Sequence, residues 1–320
     1  MLSGGRLIKL LFTGGGGAGS EAIYRLLENR YECHFADADP TAIDDLIPTH
    51  KRHEIPSAWD AEFETAVTSL CYALSVDLMI PGVDQELPKM SSISRAVPTM
   101  KIFAPDAAFI AKMGDKLSMI HALDAAGLPV PWTTNAKNRT SARFPCIAKP
   151  RQGRGSRAVR VVASEAELDA YMLLEGLDAE TVILQELVYG TEYTVQMIAD
   201  YQRALQAVVP VKVGIKRGIT LRAETAGNSV VDAACRAIHA AYPTEGCYNI
   251  QLILTNDGRV LPFEINPRIS TTFCLTIAAG VDPIAIALGD APKLGGTSAF
   301  RPEVSLRRYW RNSLSCMETS

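Results

Sequence analysis

The chain has 320 residues, of which 48% are hydrophobic and 21% are charged, and its formal net charge is −3 at pH 7. These values are typical of a soluble globular protein of about two domains. The two signs of charge are interspersed, which argues against nucleic acid as a partner, and no segment reaches the ~18 consecutive apolar residues of a membrane helix.

The first hundred residues predict a parallel α/β unit. Strands are expected at Leu7–Thr13, Cys33–Asp37 and Leu78–Pro81, and helices at Ser20–Asn29 and Trp59–Leu74. Strands that alternate with helices are typical of βαβ units and a parallel sheet. We therefore expect an N-terminal α/β domain over residues 1–105.

The remainder of the chain predicts a different, α+β arrangement. Two helices, Asp106–Met113 and Lys116–Ala126, are followed by short strands with glycine turns and by one helix, Ser229–Ala241. The expected strands are Cys146–Lys149, Val159–Val162, Thr181–Glu186, Glu192–Ala199, Leu205–Lys212, Tyr248–Leu254 and Arg259–Asn266. The fold class expected is thus α/β plus α+β, with mainly antiparallel sheets after the first domain. The tail after Leu288 shows no periodicity.

Cysteine usage and the chain start bear on the compartment. The seven cysteines are scattered, and none forms a Cys-x-x-Cys pair. This usage favours free thiols in a reducing compartment. The segment from Met1 to Lys9 is too short and too polar for a signal peptide, so the expected location is the cytoplasm.

The last two strands predict a hairpin with one apolar face. Asp257-Gly258 is a strong signal for a two-residue hairpin loop. Pairing outward from that loop gives three apolar pairs on one face, which we expect to pack on a core. These pairs are Leu254 with Leu261, Leu252 with Phe263, and Ile250 with Ile265.

The opposite face of the same hairpin gathers oxygen-bearing side chains. The register places Gln251 opposite Glu264 and Asn249 opposite Asn266. Directly paired residues have Cβ atoms about 4.5–5.5 Å apart, and Mg²⁺ prefers oxygen ligands of this kind together with nucleotide phosphates. The alternative is the wet face of a half-buried sheet, which these residues alone favour. Pro262 also indicates an edge or a local irregularity, because it lacks an N–H.

These residues also carry a resemblance to a known family. The stretch Gly246–Leu254, followed by Phe263-Glu264-Ile265-Asn266-Pro267-Arg268-Ile269-Ser270, resembles the end of an ATP-grasp domain. It is most similar to the large subunit of carbamoyl-phosphate synthetase and its small stand-alone relatives. The resemblance implies that Gln251, Glu264 and Asn266 bind metal and that Arg268, with Glu264, is catalytic.

Other segments match the same family in order. Cys146-Ile147-Ala148-Lys149 resembles the strand with the phosphate-binding lysine, and Lys116 resembles the family's first ATP-binding cation. The resemblance further implies a glycine loop over the phosphates, a hinge that reads adenine and a ribose-binding glutamate. The residues implied are Gly153, Gly155 and Ser156 in the loop, Gln185, Glu186 and Leu187 in the hinge, and Glu192 at the ribose.

The resemblance implies an ATP-dependent ligase with a defined domain order. A pre-ATP-grasp domain (1–105) would precede a small lid subdomain with linker helices (106–184), a C-terminal subdomain (185–290) and a tail (291–320). The expected reaction activates a carboxylate as an acyl phosphate and joins it to an amine, using ATP and two Mg²⁺ ions, with Mn²⁺ as an alternative ion. Small-molecule acid and amine are the expected partners, and a homodimer is left open. Asp84, Glu86, Lys216 and Arg217 are candidate substrate contacts.

The chain departs from carbamoyl-phosphate synthetase in two respects. It carries one ATP-grasp half instead of two, and it contains no evident amidotransferase segment. Complete carbamoyl-phosphate synthesis is therefore not expected.

Two alternative functions stay open. Gly14-Gly15-Gly16-Gly17-Ala18-Gly19 satisfies Gly-x-Gly-x-x-Gly between a strand and a helix, and Asp37 ends the next strand. That pattern is typical of dinucleotide-binding oxidoreductases. A non-catalytic ATP-binding sensor is the other alternative, although the complete set Gln251, Glu264 and Asn266 argues against it.

Overall fold

The computed structural model describes residues 6–153, 155, 157–290 and 299–310. Its strands are β1 (Lys9–Thr13), β2 (Glu32–Asp37), β3 (Arg52–Glu54), β4 (Leu78–Ile80), β5 (Lys101–Ile102), β6 (Thr133–Asn135), β7 (Cys146–Pro150), β8 (Arg160–Val162), β9 (Val182–Glu186), β10 (Thr191–Ala199), β11 (Leu205–Arg217), β12 (Ile219–Thr225), β13 (Gly246–Leu254), β14 (Val260–Asn266) and β15 (Ser305–Arg307). Its helices are α1 (Ser20–Leu27), α2 (Phe63–Leu74), α3 (Met90–Ala96), α4 (Ala107–Met113), α5 (Lys116–Ala125), α6 (Glu165–Glu175), α7 (Ser229–Ala241), α8 (Phe273–Ala278) and α9 (Pro283–Leu288).

The N-terminal sheet is parallel, as predicted. Its strand order is β3-β2-β1-β4-β5, and every adjacent pair runs parallel. Leu10 and Phe12 of β1 belong to the core that includes α1, whereas Leu11 belongs to the core that includes α2 and α3. Both faces are therefore covered, which explains the continuous apolar run of β1. Strands β2 and β3 lie on one side of β1, and β4 and β5 lie on the other. A topological switch point therefore lies between β1 and β4.

Two antiparallel sheets follow, which confirms the mixed fold class. One has six strands in the order β14-β13-β10-β11-β12-β15, and the other has four in the order β6-β9-β7-β8. Strand β11 continues to Arg217 and turns at Gly218 (φ 71°) into β12, a strand that the sequence pattern does not predict. The end of β11 is largely exposed, so its charged residues lack the apolar alternation by which buried strands are recognised.

The six-stranded sheet is packed from two sides. Residues of β10, β11 and β13 share one core with the N-terminal sheet, α1, α8 and α9. A second core joins β10, β13 and β14 to α4, α5 and α7. The four-stranded sheet has a separate core with α6. We propose that this sheet and α6 form the small subdomain, since α4 and α5 pack elsewhere and the boundary expected at residue 184 falls within β9.

Several elements are not predicted by the sequence pattern. They are α3, α6, α8 and α9, and the short strands β3, β5, β6 and β15. Strand β15 pairs with β12 and lies in the segment expected to be an aperiodic tail. Most of that tail, residues 291–298 and 311–320, lies outside the described residues. No helix in the described ranges has the length and apolarity required to cross a membrane.

Candidate functional site

The predicted polar face of the hairpin is present in the structure. Asn249 pairs with Asn266 and Gln251 with Glu264 across β13 and β14. All four side chains line one cavity. Since Cβ atoms of paired residues lie close together, the structure brings the three predicted metal ligands into one small volume.

The outer half of the hairpin differs from the prediction by one residue. Thr255 and Arg259 close a three-residue loop, because the Thr255 N–H donates to the Arg259 carbonyl (2.9 Å) and Gly258 adopts φ 87°. Leu252 therefore pairs with Pro262 rather than with Phe263. The register is restored at Glu264 by a β-bulge in which Phe263 is the extra residue.

This bulge redirects two side chains toward the site. Phe263 and Leu261, which were expected in the core, line a cavity beside Glu264. The Phe263 carbonyl accepts a hydrogen bond from Lys149 Nζ (3.2 Å), whose ammonium also lies 5.2 Å from the centre of the Phe263 ring. Bulges commonly re-aim side chains next to functional sites, and Pro262, with no N–H to donate, lies directly beside this one.

Three lysines line the same cavity as Glu264. Lys116 Nζ lies 3.5 Å from Glu264 Oε1 and donates to the Gly153 carbonyl (3.2 Å). Lys149 and Lys216 lie close enough to one another for their charges to interact, and Lys216 Nζ donates to Gln251 Oε1 (3.2 Å). Such a concentration of positive charge around one carboxylate suits a polyanionic ligand.

Burial gives Lys149 unusual acid–base properties. Lys149 lies near the end of β7. Its side chain is 5% exposed and donates to Gln185 Oε1 (2.8 Å). Burial, opposed by the charge of Glu264 and assisted by the charges of Lys116 and Lys216, lowers the pKa of Lys149 to about 7. A buried lysine loses its proton readily because the ammonium is poorly solvated, so an anionic ligand would restore the charge.

A cavity of about 440 Å³ lies between the two antiparallel sheets. Lys116, Lys149 and Glu264 lie on its wall. Its apolar lining residues include Ile147, Val159, Leu187, Ile253, Leu261 and Phe263. A cavity of this size with apolar walls and a few polar groups is typical of small-molecule sites.

The predicted hinge residues lie on the same cavity wall. Gln185, Glu186 and Leu187 all line it. The Glu186 carboxylate accepts from the Trp132 N–H (3.0 Å), and Gln185 Nε2 donates to Thr133 Oγ1 (2.9 Å). Both side chains therefore fasten β9 to the segment that enters β6. Glu192 also lines the cavity and forms an ion pair with Lys216 (2.6 Å).

A second cavity, of about 290 Å³, lies on the other side of Glu264. Lys216, Gln251 and Glu264 line both cavities, so the two meet at this carboxylate. The second cavity is strongly cationic, with Arg157 and Arg268 on its wall. It also presents hydroxyl groups from Thr194, Thr220, Ser270, Thr271 and Thr272. These groups suit an anionic molecule with hydrogen-bonding substituents.

The glycine loop and the candidate substrate contacts are only partly assembled around this centre. Gly153 lines the first cavity and Gly155 the second, whereas Ser156 lies outside the described residues. Arg217 is exposed and lines neither cavity.

The two candidate carboxylates of the N-terminal sheet lie in different surroundings. Asp84 forms an ion pair with Arg268 (2.7 Å). Glu86 is 4% exposed, accepts a hydrogen bond from Thr13 and lines a separate cavity of about 280 Å³ beyond β1 and β4. Burial raises the pKa of Glu86 to about 7, and the neighbouring charges of Asp37 and Asp84 contribute.

The glycine turn after β1 is explained by internal packing. The Gly15 N–H donates to the Ala36 carbonyl (2.9 Å) and the Gly17 N–H to the Gly14 carbonyl (2.9 Å). The Gly16 N–H donates to Asp37 Oδ2 (2.8 Å), the carboxylate that a dinucleotide ribose would require. A Cβ at Gly16 would lie 2.7 Å from the Ala42 Cβ. Amides already bonded to protein are poorly placed to receive a pyrophosphate, which argues against the oxidoreductase alternative.

Sequence reasoning missed two features of the site. One is the bulge at Phe263, for which Pro262 gives a signal of irregularity but not of position. The other is the contact between Asp84 and Arg268, which lie 184 positions apart in the chain. No local pattern could reveal that contact, because it depends on how the N-terminal sheet packs against β14.

Comparison with known proteins is consistent with this geometry. The ATP-grasp domain profile matches residues 113–272. Biotin carboxylase of Haemophilus influenzae is 34% identical over 113 residues, which is 30% of this chain and 25% of the relative. The carbamoyl phosphate synthase large chain of Methanoregula boonei is 26% identical over 242 residues, covering 66% of this chain and 21% of that one. The aligned part of this chain thus spans about a quarter or less of the full length of these two relatives.

Solved structures share the fold at low sequence identity. A biotin carboxylase from Campylobacter jejuni superimposes with a TM-score of 0.68 and 18% identity, covering 90% of this chain and 72% of that chain. An L-amino acid ligase from Bacillus licheniformis gives a TM-score of 0.66 and 14% identity, covering 90% and 75%. The domain match and the shared fold together show that this chain belongs to the ATP-grasp family.

Proposed function

We propose that this chain is an ATP-dependent carboxylate–amine ligase. It would activate a carboxylate as an acyl phosphate and transfer the acyl group to an amine, with release of ADP and phosphate. The observation that carries this proposal is that Lys116, Lys149 and Lys216 line one cavity with Glu264, at the carboxylate that this cavity shares with a second, cationic one.

The apolar cavity is the proposed ATP site. Its apolar walls suit the adenine ring, and Gln185, Glu186, Leu187 and Glu192 also line it. In this proposal the first three would lie beside the adenine and Glu192 would bind the ribose. The triphosphate would extend toward Lys116 and Lys149 under the loop that contains Gly153. The positive charge of these side chains offsets the phosphate charge.

The side chains on β13 and β14 fit a magnesium site. Mg²⁺ is commonly held by one or two carboxylates together with substrate phosphates, and Gln251, Glu264 and Asn266 provide one carboxylate and two amides. Asn266 Nδ2 donates to Asn249 Oδ1 (3.3 Å), which leaves its Oδ1 available. The ions, when bound, neutralise charge on the transferred phosphoryl group. We propose two, with Mn²⁺ as an alternative.

The cationic cavity is the proposed acid site. A substrate carboxylate placed beside Arg268 would attack the γ-phosphate of ATP, and ADP would leave with the electrons of the broken bond. The amine would then attack the acyl carbon, lose a proton and displace phosphate. Fixed cationic donors stabilise the developing charge without reorganisation.

A trapping experiment tests the proposal. Purified protein is incubated with Mg-ATP and a panel of carboxylic acids, and hydroxylamine captures any acyl phosphate as a hydroxamate. We expect acid-dependent phosphate release with hydroxamate formed in equal amount. Glu264→Gln should abolish both, whereas Glu180→Gln, a control at a side chain 67% exposed, should abolish neither. ATP hydrolysis that no acid stimulates, with no hydroxamate, would contradict the proposal.

A further inference from the structure

Arg268 is held by a carboxylate from the other end of the fold. It follows β14, whereas Asp84 begins a 3₁₀ turn, Asp84–Lys89, after β4 of the parallel sheet. Arg268 Nε donates to Asp84 Oδ1 (2.7 Å) and Nη2 donates to Asp84 Oδ2 (2.8 Å). This paired geometry fixes both the distance and the plane of a guanidinium.

Arg268 keeps two N–H groups for a ligand. A guanidinium has five N–H groups, and a third is used by Nη1, which donates to the Ile269 carbonyl (3.0 Å). One N–H on each Nη is thus left, and the side chain, 15% exposed, lines the cationic cavity. The edge of the guanidinium that faces Asp84 is fully used, so the remaining hydrogens define the direction in which Arg268 can bind an anion.

We propose that Asp84 is a positioning residue for Arg268, which aligns the guanidinium for phosphoryl transfer and does not itself contact the substrate. This inference rests on the proposed function and gives Asp84 a role through Arg268. Asp84 also lines a cavity of about 320 Å³ together with Lys116, Glu264 and Asn266. An arginine set in place before the reaction stabilises the transition state more than the ground state, since it pays no cost of reorientation.

The contact also links two parts of the fold. The phosphoryl-transfer arginine is correctly oriented only while the 3₁₀ turn after β4 lies against β14. A substrate that shifts the N-terminal sheet would therefore change the orientation of Arg268. Asp84 in this way makes the reaction sensitive to the placement of the N-terminal sheet.

The test compares Asp84→Asn, Arg268→Lys and the double variant with Asp282→Asn as control. Asp282 also bridges the N-terminal unit and the rest of the chain, because it accepts from Arg30 Nη1 (2.6 Å) and from the Tyr31 hydroxyl (3.0 Å). It caps α9 as well, and asparagine serves equally as an N-cap. The control thus removes a second ion pair between the two units, one in which Arg268 takes no part.

The readout is the binding of Mg-ADP measured with and without aluminium fluoride, which mimics the phosphoryl group in transfer and needs no knowledge of the acid. We expect aluminium fluoride to tighten Mg-ADP binding by the wild type. Asp84→Asn should reduce this tightening by about tenfold or more, as for one lost charge-assisted hydrogen bond, and leave Mg-ADP affinity unchanged. The double variant should lose no more than Arg268→Lys alone, because the two residues act as one unit.

Each other result is decisive. If Asp84→Asn behaves like Asp282→Asn, or if its effect adds to that of Arg268→Lys, Asp84 does not act through Arg268. If the wild type binds Mg-ATP but aluminium fluoride has no effect, Arg268 is not arranged for phosphoryl transfer and the inference fails alone. If the wild type does not bind Mg-ATP, the proposed function fails and the inference fails with it.

Discussion

The low pKa of Lys149 predicts that ATP binding takes up a proton. In the ligand-free protein the ammonium is buried, and among the described residues it donates to two neutral oxygens, Gln185 Oε1 and the Phe263 carbonyl. Burial lowers the pKa of Lys149 to about 7. A triphosphate beside Lys149 favours the charged form and raises the pKa, so the neutral fraction of the molecules must gain a proton on binding.

The size of the uptake follows from the fraction of Lys149 that is already protonated before ATP binds. At pH 8 a group of pKa about 7 is roughly one-tenth protonated, so uptake should approach about 0.9 proton per ATP. At pH 6 the same group is already roughly nine-tenths protonated and uptake should fall to about 0.1 proton. The proton uptake by Lys149 therefore grows as the pH rises through 7. A ligand phosphate that titrates in this range would instead release protons on binding, and that release would shrink as the pH rises.

Calorimetry in buffers of different ionisation enthalpy measures this uptake directly. The slope of observed enthalpy against buffer ionisation enthalpy gives the number of protons. Lys149→Arg keeps the charge but does not titrate, and Lys149→Met carries no ionisable group. Both variants should lose the uptake at pH 8, and Lys149→Arg should retain ATP binding. A wild-type slope equal to that of both variants would refute the reasoning.

Three further predictions follow from the same structure. Glu264→Gln should lower turnover by about 10²–10³-fold, as for a lost transition-state contact, and should abolish the magnesium dependence of ATP binding in a titration; retained dependence would contradict the metal assignment. Burial raises the pKa of Glu86 from 4.5 to about 7, so the free energy of unfolding should fall by about 3 kcal/mol as the pH rises from about 4.5 to 7 and then level off. Urea unfolding of Glu86→Gln, which lacks this titration, should show no such fall, and identical pH profiles for the two proteins would refute it. Gly82→Ala should cost about 1–3 kcal/mol because its Cβ would lie 2.4 Å from the Thr13 carbonyl oxygen; Gly227→Ala, with no atom within 4 Å of its Cβ, is the matched control and should cost less.

The parts of the fold that follow from local patterns were predictable. The parallel N-terminal sheet follows from short apolar strands that alternate with amphipathic helices. Helix α7 was predicted with its observed ends, Ser229 and Ala241. Helix α6 was missed although the signal was present. Ser164 caps the helix, since its Oγ accepts from the Glu167 N–H (3.3 Å), and the Glu167 carboxylate accepts from the N–H of Ala163, the residue before the cap (2.8 Å). Its apolar residues Leu173 and Leu174 are exposed, so the apolar periodicity was misleading.

The site was predictable where pairing register decides its geometry. The pairs Gln251–Glu264 and Asn249–Asn266 follow from alternation along two strands of one hairpin. The outer register was wrong because the prediction assumed a two-residue loop. The observed three-residue loop shifts the outer pairs by one residue, and the bulge at Phe263 reverses this shift, so the inner pairs were predicted correctly. The contact of Asp84 with Arg268 could not be predicted, since it depends on packing between units that are distant in sequence.

The most direct test of the central claim is a calorimetric titration of the purified protein with ATP in the presence and absence of Mg²⁺, and separately with the nicotinamide dinucleotides. The proposed ligase requires magnesium-dependent ATP binding that Glu264→Gln weakens, with no binding of a dinucleotide. Dinucleotide binding without any response to Mg-ATP would contradict it, and would place the active site at the glycine turn after β1 instead.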